Sequence, residues 1–134
     1  MIALVLKLVI AHVLGDFVFQ PTSWVESKNR KKHKSLYLYL HGLVHLLTLL
    51  ILLEFQSGYW LAMLIIVMSH LLIDLIKLNL ETVINSRVLF GIDQLLHLSI
   101  IAFVVHYYYP FEIKLETIYT KPVLTIILAL LLLT

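Results

Sequence analysis

The sequence predicts an all-α protein, a polytopic bundle of transmembrane helices. Three observations carry that expectation. Apolar residues make up 61% of the chain and the mean hydropathy is +0.98, above the range of ordinary soluble domains. These residues are gathered into long blocks separated by short polar stretches. Within four of the blocks two His or Asp side chains stand four residues apart: His12/Asp16, His41/His45, His70/Asp74 and Asp93/His97. Four residues is about one helical turn, so each pair lies on one face of a helix.

The first block, about 1–20, is long enough at about 1.5 Å per residue to cross a hydrocarbon core of about 30 Å. It lacks a basic leading region, and His12 and Asp16 interrupt it, so it reads as a retained span and not a signal peptide. Residues 21–35 break the pattern with Pro21, Thr22 and Ser23 and then carry Lys28, Arg30, Lys31, Lys32 and Lys34. The positive-inside rule places this basic loop in the cytoplasm and the N-terminus outside. A second span, about 36–54, begins with Tyr37 and Tyr39, which suit an interface. The connection through Glu54 to Gly58 has no Lys or Arg and belongs outside.

A third span, about 59–80, opens on the interfacial Tyr59 and Trp60 and ends near Lys77, whose stem can snorkel. Residues 81–91 mix Glu81, Asn85 and Arg87 with Val83, Ile84, Val88 and Leu89, which predicts a short interfacial helix or re-entrant turn. A fourth span, about 92–109, ends at Tyr107, Tyr108, Tyr109 and Pro110. The polar stretch 111–121 belongs outside. Residues 122–134 open a fifth helix that is too short to cross and stops inside an apolar block, which reads as a truncated span. Residues 1–134 form one domain on this reading.

This topology puts all four pairs at the inner ends of their spans, roughly 5–13 Å below the cytoplasmic interface at about 1.5 Å per residue. An isolated charge near the bilayer centre costs roughly 2.5–3.5 kcal/mol even on a lenient insertion scale. The paired groups are therefore expected to face one another. Imidazole and carboxylate are ligands of zinc, iron and manganese, and helical bundles hold metals on side chains projecting from facing helices. The expected ligands are His12, Asp16, His41, His45, His70, Asp74, Asp93 and His97. That set exceeds what one tetrahedral ion needs. It suits one or two divalent ions, zinc first with iron or manganese as alternatives, or one ion whose histidines are oriented by outer carboxylates.

Gln20, Lys77 and Gln94 continue the same faces and are expected to support the ligands or bind substrate. Gly15 and Gly42 adjoin the pairs and allow close helix approach. His33, in the basic loop, and His106, near the outer end of the fourth span, stand apart. The bland alternative is structural: His and Asp as interhelical hydrogen-bonded glue, worth about 1 kcal/mol per pair. Four pairs at one depth argue for a site instead.

At these residues the chain resembles a family of bacterial membrane proteins known as domain of unknown function 3307. The resemblance rests on AHVLGDFVFQ with Trp24 and Lys28 after it, then HGLVH, HLLIDLIK and DQLLH, and covers roughly residues 8–100. It implies a polytopic protein of the bacterial inner membrane and supplies no reaction. A looser likeness, by analogy alone, is to membrane-embedded metal-dependent hydrolases with intramembrane His and Asp.

The expected function is a membrane-embedded, divalent-metal-dependent hydrolase acting near the cytoplasmic leaflet. Asp16 or Asp93 would serve as general base, and Lys77 would offset developing negative charge. A lipid-linked or membrane-bound substrate would suit the depth, and a homodimer or an accessory membrane protein would suit the apolar outer faces. The alternative is a proton or metal-ion transporter, or a subunit of one. Against it, the outer halves of the spans carry few polar residues besides Thr48, Glu54 and His106. Haem held by two facing histidines is a third reading, disfavoured by the neighbouring carboxylates. The chain has no cysteine, which excludes disulfides and thiolate chemistry, and its net charge of +2 is too small and local for nucleic acid.

Overall fold

The computed structural model describes residues 1–110. The expected fifth helix, 122–134, and the polar stretch before it lie outside the described residues. Within them the chain is all-α: α1 (Ile2–Val13), a π-helical turn (Leu14–Val18), α2 (Thr22–Lys31), α3 (Leu36–Leu52), α4 (Trp60–Leu80) and α5 (Ser86–Tyr108). Short 3-10 turns, Lys32–Lys34 and Ser57–Tyr59, precede α3 and α4. Helices α3, α4 and α5 pack in sequence, and α1 closes the bundle against α3 and α5.

The first block is not one straight helix. Its last turn widens, with the Phe19 N–H donating to Leu14 O at 2.8 Å, five residues back. Pro21 then disfavours helical backbone at Gln20 and starts a new helix. The helical run Ile2–Val18 and the run Thr22–Lys34 meet at 83°. The basic loop expected over 21–35 is therefore mostly helix. Trp24 of α2 stacks on Tyr37 of α3, with ring centroids 5.3 Å apart, and the hydroxyls of Ser27 and Ser35 meet at 3.0 Å. These contacts fold α2 back across the end of the bundle that carries the ionisable pairs.

Two elements, Ser57–Leu80 and Ser86–Tyr108, are long and apolar enough to cross a membrane, and a third qualifies if the bent pair counts as one span. Helix α3, at 17 residues, is apolar but shorter. The expected count of four spans is thus met in part. The expected interfacial helix at 81–91 is also corrected. Residues 81–84 form a turn, and α5 already begins at Ser86, where the Asn85 side chain accepts from the Arg87 N–H at 3.0 Å.

The buried faces explain the sequence pattern. Leu4, Leu8, Leu49, Met63, Ile66, Ile101 and Val104 build an apolar core at one end of the bundle. The ionisable pairs continue those faces toward the other end. The opposite faces are exposed and apolar at helical spacing: Leu43, Leu47 and Ile51 on α3, and Leu64, Met68, Leu72 and Ile76 on α4. The hydroxyls of Thr48, Ser69 and Ser99 donate to carbonyls of their own helices, which satisfies them without water. Both features are compatible with integration in a membrane.

Candidate metal centre

Each ligand pair arrives from a different helix. α1 and its π-turn bring His12 and Asp16, α3 brings His41 and His45, α4 brings His70 and Asp74, and α5 brings Asp93 and His97. Their side chains meet in one cluster. His12, His41, His45, His70, Asp74, Asp93 and His97 are buried, and the Asp16 side chain is 10% exposed. The ring centroids of His45 and His70 are 3.8 Å apart and those of His70 and His97 are 4.2 Å apart. All eight expected ligands are therefore brought together.

Close approach of α3 depends on glycine. A Cβ on Gly15 would stand 2.5 Å from His45 Nε2, and one on Gly42 would stand 2.7 Å from Leu71 Cδ2. At Gly15 the space a methyl would need is filled by an imidazole, so the absent side chain at 15 is what lets His45 reach the cluster. Widened turns of the kind found at Leu14–Val18 recur at functional sites, because one extra residue re-aims the side chains that follow.

The closest convergence is on Asp16. Its Oδ1 lies 3.0 Å from His45 Nε2, 3.2 Å from His41 Nε2 and 3.4 Å from His70 Nε2, while the His41 and His70 Nε2 atoms are 3.0 Å apart. Four donor atoms from three helical segments thus outline one small polyhedron. A tetrahedral zinc with bonds of about 2.0–2.1 Å has ligand–ligand edges of about 3.3–3.4 Å, close to those separations. Hydrogen bonding alone accounts for them less well. Three imidazoles crowd one carboxylate oxygen, and two ring nitrogens face each other with at most one proton between them.

The other oxygen of Asp16 looks the opposite way. Asp16 Oδ2 accepts from the Gln94 amide at 3.3 Å and lies 3.7 Å from His12 Nε2. His12 Nε2 in turn is 3.1 Å from Gln94 Oε1. Beside them, Asp93 Oδ1 and His97 Nε2 are 3.4 Å apart, yet both are buried without a hydrogen-bond partner among the described residues, as is His41 Nδ1. Buried polar atoms left unpaired are costly. Asp16, Asp93 and His97, like the trio His12, His70 and His97, offer donor atoms within 4.8 Å of one another. Asp74 lies between the two subsets, with Oδ2 3.5 Å from His41 Nε2 and Oδ1 3.7 Å from His97 Nε2.

Two lysines border the cluster. Lys77 donates to Asp93 Oδ2 at 3.1 Å, and its ammonium sits 5.5 Å from the centroid of the Phe90 ring. Lys28 donates to Asp74 Oδ2 at 3.3 Å and makes a short bond to Gln20 Oε1. The Gln20 amide donates to Asp16 O at 3.0 Å. Sequence reading placed Lys77, Gln20 and Gln94 at the site and missed Lys28, which it counted among topology-setting charges. The available signal was the stripe Trp24, Ser27, Lys28 on a polar helix, whose Lys28 is 6% exposed. Beside Asp16, His41, Asp74 and both lysines a cavity of about 70 Å³ opens toward α2.

The profile of one protein family, described as a protein of unknown function (DUF3307), matches residues 4–127. The chain belongs to the DUF3307 family. No curated protein and no solved structure matches it significantly. The DUF3307 match spans every helix that contributes to the cluster, so the residues described here stand inside the family's own boundaries.

Proposed function

We propose that this DUF3307 protein is a membrane-embedded metalloprotein whose cluster holds divalent ions and serves a hydrolase at the cytoplasmic leaflet. The observation that carries the reading is the quartet of Asp16 Oδ1 and the Nε2 atoms of His41, His45 and His70, with the carboxylate oxygen 3.0–3.4 Å from each nitrogen and the His41 and His70 nitrogens 3.0 Å apart. Zinc suits that donor set best, with iron or manganese as alternatives. A second ion would use the opposite oxygen of Asp16 with Asp93 and His97, whose Oδ1 and Nε2 otherwise lack partners. Asp74, Gln94 and His12 would complete or orient the two subsets.

When bound, a divalent ion acidifies a water molecule and polarises the oxygen of an ester, amide or phosphoester. The chain's own residues divide the remaining work. With one ion at the quartet, Asp16 is engaged by three imidazoles, which leaves Asp93 as the general base of the two carboxylates; with a second ion Asp93 is itself a ligand. Lys77, hydrogen-bonded to Asp93, lies where it can offset negative charge developing on the substrate. In this reading α1, α3, α4 and α5 each cross the bilayer, with the N-terminus outside and α2 lying at the cytoplasmic surface, its cluster of Lys and Arg toward anionic headgroups. The substrate would then be lipid-linked or membrane-bound. A homodimer or an accessory membrane chain would cover part of the exposed apolar faces.

Metal analysis of the purified full chain tests this directly. Wild type should carry one or two zinc, iron or manganese ions per chain. His41→Ala and His70→Ala should lose metal, while His106→Ala, on the exposed side of α5, should keep it. A well-folded wild-type protein that takes up no divalent metal from solution would refute the proposal.

A further inference from the structure

We infer that the cavity between the cluster and α2 is a binding site for a phosphoryl group, carried by either a lipid headgroup or a soluble phosphate. The inference rests on the metal centre proposed above and names the substrate class that centre would serve. Its first support is charge. Asp16, Asp74 and Asp93 bring three negative charges, and Lys28 and Lys77 return two positive ones. One divalent ion turns the balance to one positive charge, and two ions turn it to three. In a buried site of low dielectric such an excess favours an anionic ligand. A phosphate monoester carries about −1.5 to −2 near neutral pH, which matches the three positive charges of the two-ion site more closely than the single charge of a carboxylate does.

The second support is shape. The two lysines come from different helices, Lys28 from α2 and Lys77 from α4, and both line the cavity that Asp16, His41 and Asp74 floor. An ammonium has three donors. Lys28 directs bonds to Gln20 and Asp74, and Lys77 directs one to Asp93, so each keeps a donor for an incoming oxygen. The one acid at the cavity's far wall, Glu81, is already engaged, with Oε2 3.5 Å from Lys32 Nζ. The Asn29 amide, in the orientation that satisfies both its atoms, donates to Glu81 Oε1 at 3.2 Å. The volume of about 70 Å³ compares with the roughly 10–15 Å³ that seats one water. It therefore admits a group of about five heavy atoms, the size of a phosphate.

The third support is position. The cavity lies at the end of the bundle opposite the apolar core of Leu4, Leu8 and Val104, and α2 with its Lys and Arg forms one wall. An anion is thus drawn to the same end at which the cluster sits.

The test uses the full chain loaded with cobalt(II), whose visible spectrum reports its ligands, in nanodiscs of phosphatidylcholine. Metal content is measured on every sample. Inorganic phosphate is titrated in, and phosphatidic acid is added to a second set of nanodiscs. Saturable spectral change with either probe is the expected result; a response to phosphatidic acid alone assigns the group to lipid, and a response to inorganic phosphate assigns it to a soluble compound. Lys77→Met and Lys28→Met should weaken that binding by about tenfold or more, because each removes a charge-assisted donor, with cobalt stoichiometry unchanged. Lys77→Arg should restore part of it. If Lys28→Met does not fold, Lys77→Met and Lys77→Arg carry the test. A cobalt-loaded protein indifferent to both probes, or Met variants that bind as tightly as wild type, overturns the phosphoryl site and leaves the metal centre standing. A wild type that binds no cobalt overturns both.

Discussion

Gly15→Ala should damage the proposed metal centre more than a methyl added at any of the other three glycines. The new Cβ would stand 2.5 Å from His45 Nε2 and 2.7 Å from His45 Nδ1. Ordinary contacts of a Cβ are 3.4–4 Å, so the imidazole must withdraw by about 1 Å, more than an overpacked core absorbs without strain. A rigid ring cannot yield by rotating a terminal methyl. Overpacking of this kind costs about 1–3 kcal/mol, against which alanine's better helix propensity returns at most about 1 kcal/mol. The consequence for metal is larger. His45 Nε2 lies 3.0 Å from Asp16 Oδ1, and a ligand moved by about 1 Å no longer bonds an ion held at about 2.0–2.1 Å by the others. Outer-sphere changes alone lower metal affinity about 10–100-fold, so loss of a ligand should exceed about 100-fold.

The assay is competition for zinc against a chromophoric chelator, with thermal unfolding in detergent measured in parallel. Two other glycines supply the contrast. A Cβ on Gly91 meets nothing within 4 Å, so Gly91→Ala should leave zinc affinity unchanged and stabilise α5 by up to about 1 kcal/mol. A Cβ on Gly42 meets Leu71, at 2.7 Å from Cδ2 and 3.0 Å from Cγ. Gly42→Ala should lower stability yet keep most of the zinc affinity. Zinc bound as tightly by Gly15→Ala as by wild type would show that His45 is not a ligand.

Leu8 is 1% exposed in the apolar core one turn before His12. Leu8→Ala should therefore cost about 2–5 kcal/mol of unfolding free energy while metal stoichiometry stays the same; a parallel loss of metal would mean that the two ends of the bundle are not independent. Free zinc at about 100 times its dissociation constant should stabilise the folded protein by about 2.7 kcal/mol. An unfolding midpoint that zinc does not move, and a chelator does not lower, would argue against a bound ion.

The site was largely legible because its signal is local. Two polar residues four apart in an apolar helix can share only one face, and four such faces in a small bundle have one place to meet. His12, His41, His70 and Asp93 could be assigned for that reason. Lys28 was not, because its burial depends on α2 crossing the end of the bundle that carries the ionisable pairs, which Trp24–Tyr37 stacking and the Ser27–Ser35 bond decide. Five basic residues in seven positions masked the Trp24, Ser27 and Lys28 stripe that makes that crossing possible. At 81–84 the sequence leaves helix and turn both open because Val83 and Ile84 imitate an amphipathic face, although Asn85 just before Ser86 is an ordinary helix-start signal; the structure has the turn. The π-turn at Leu14–Val18 has no signature in the residues, since either backbone suits them and the choice is made by packing.

The arrangement of polar and apolar halves bears on whether the cluster transforms a molecule or passes an ion. A conducting route needs groups that can receive the ion at both ends, with steps short enough to hop between. Here the faces that carry the cluster continue outward as Leu4 and Leu8 on α1, Leu49 on α3, Met63 and Ile66 on α4, and Ile101 and Val104 on α5, all buried against one another. The far end of the bundle has its own polar contacts, Lys7 with Glu54 at 2.7 Å and the Tyr108 hydroxyl with Gly58 O at 2.8 Å, but that core lies between them and His45. Moving an ion through it would require the bundle to open along that buried apolar core. Chemistry on a group admitted from the α2 end requires no such opening, because the cavity there already reaches Asp16, His41 and Asp74. The same asymmetry that weakens transport is consistent with the proposed chemistry: the donors, the cations and the cavity share one end, and the other end serves to hold the helices together.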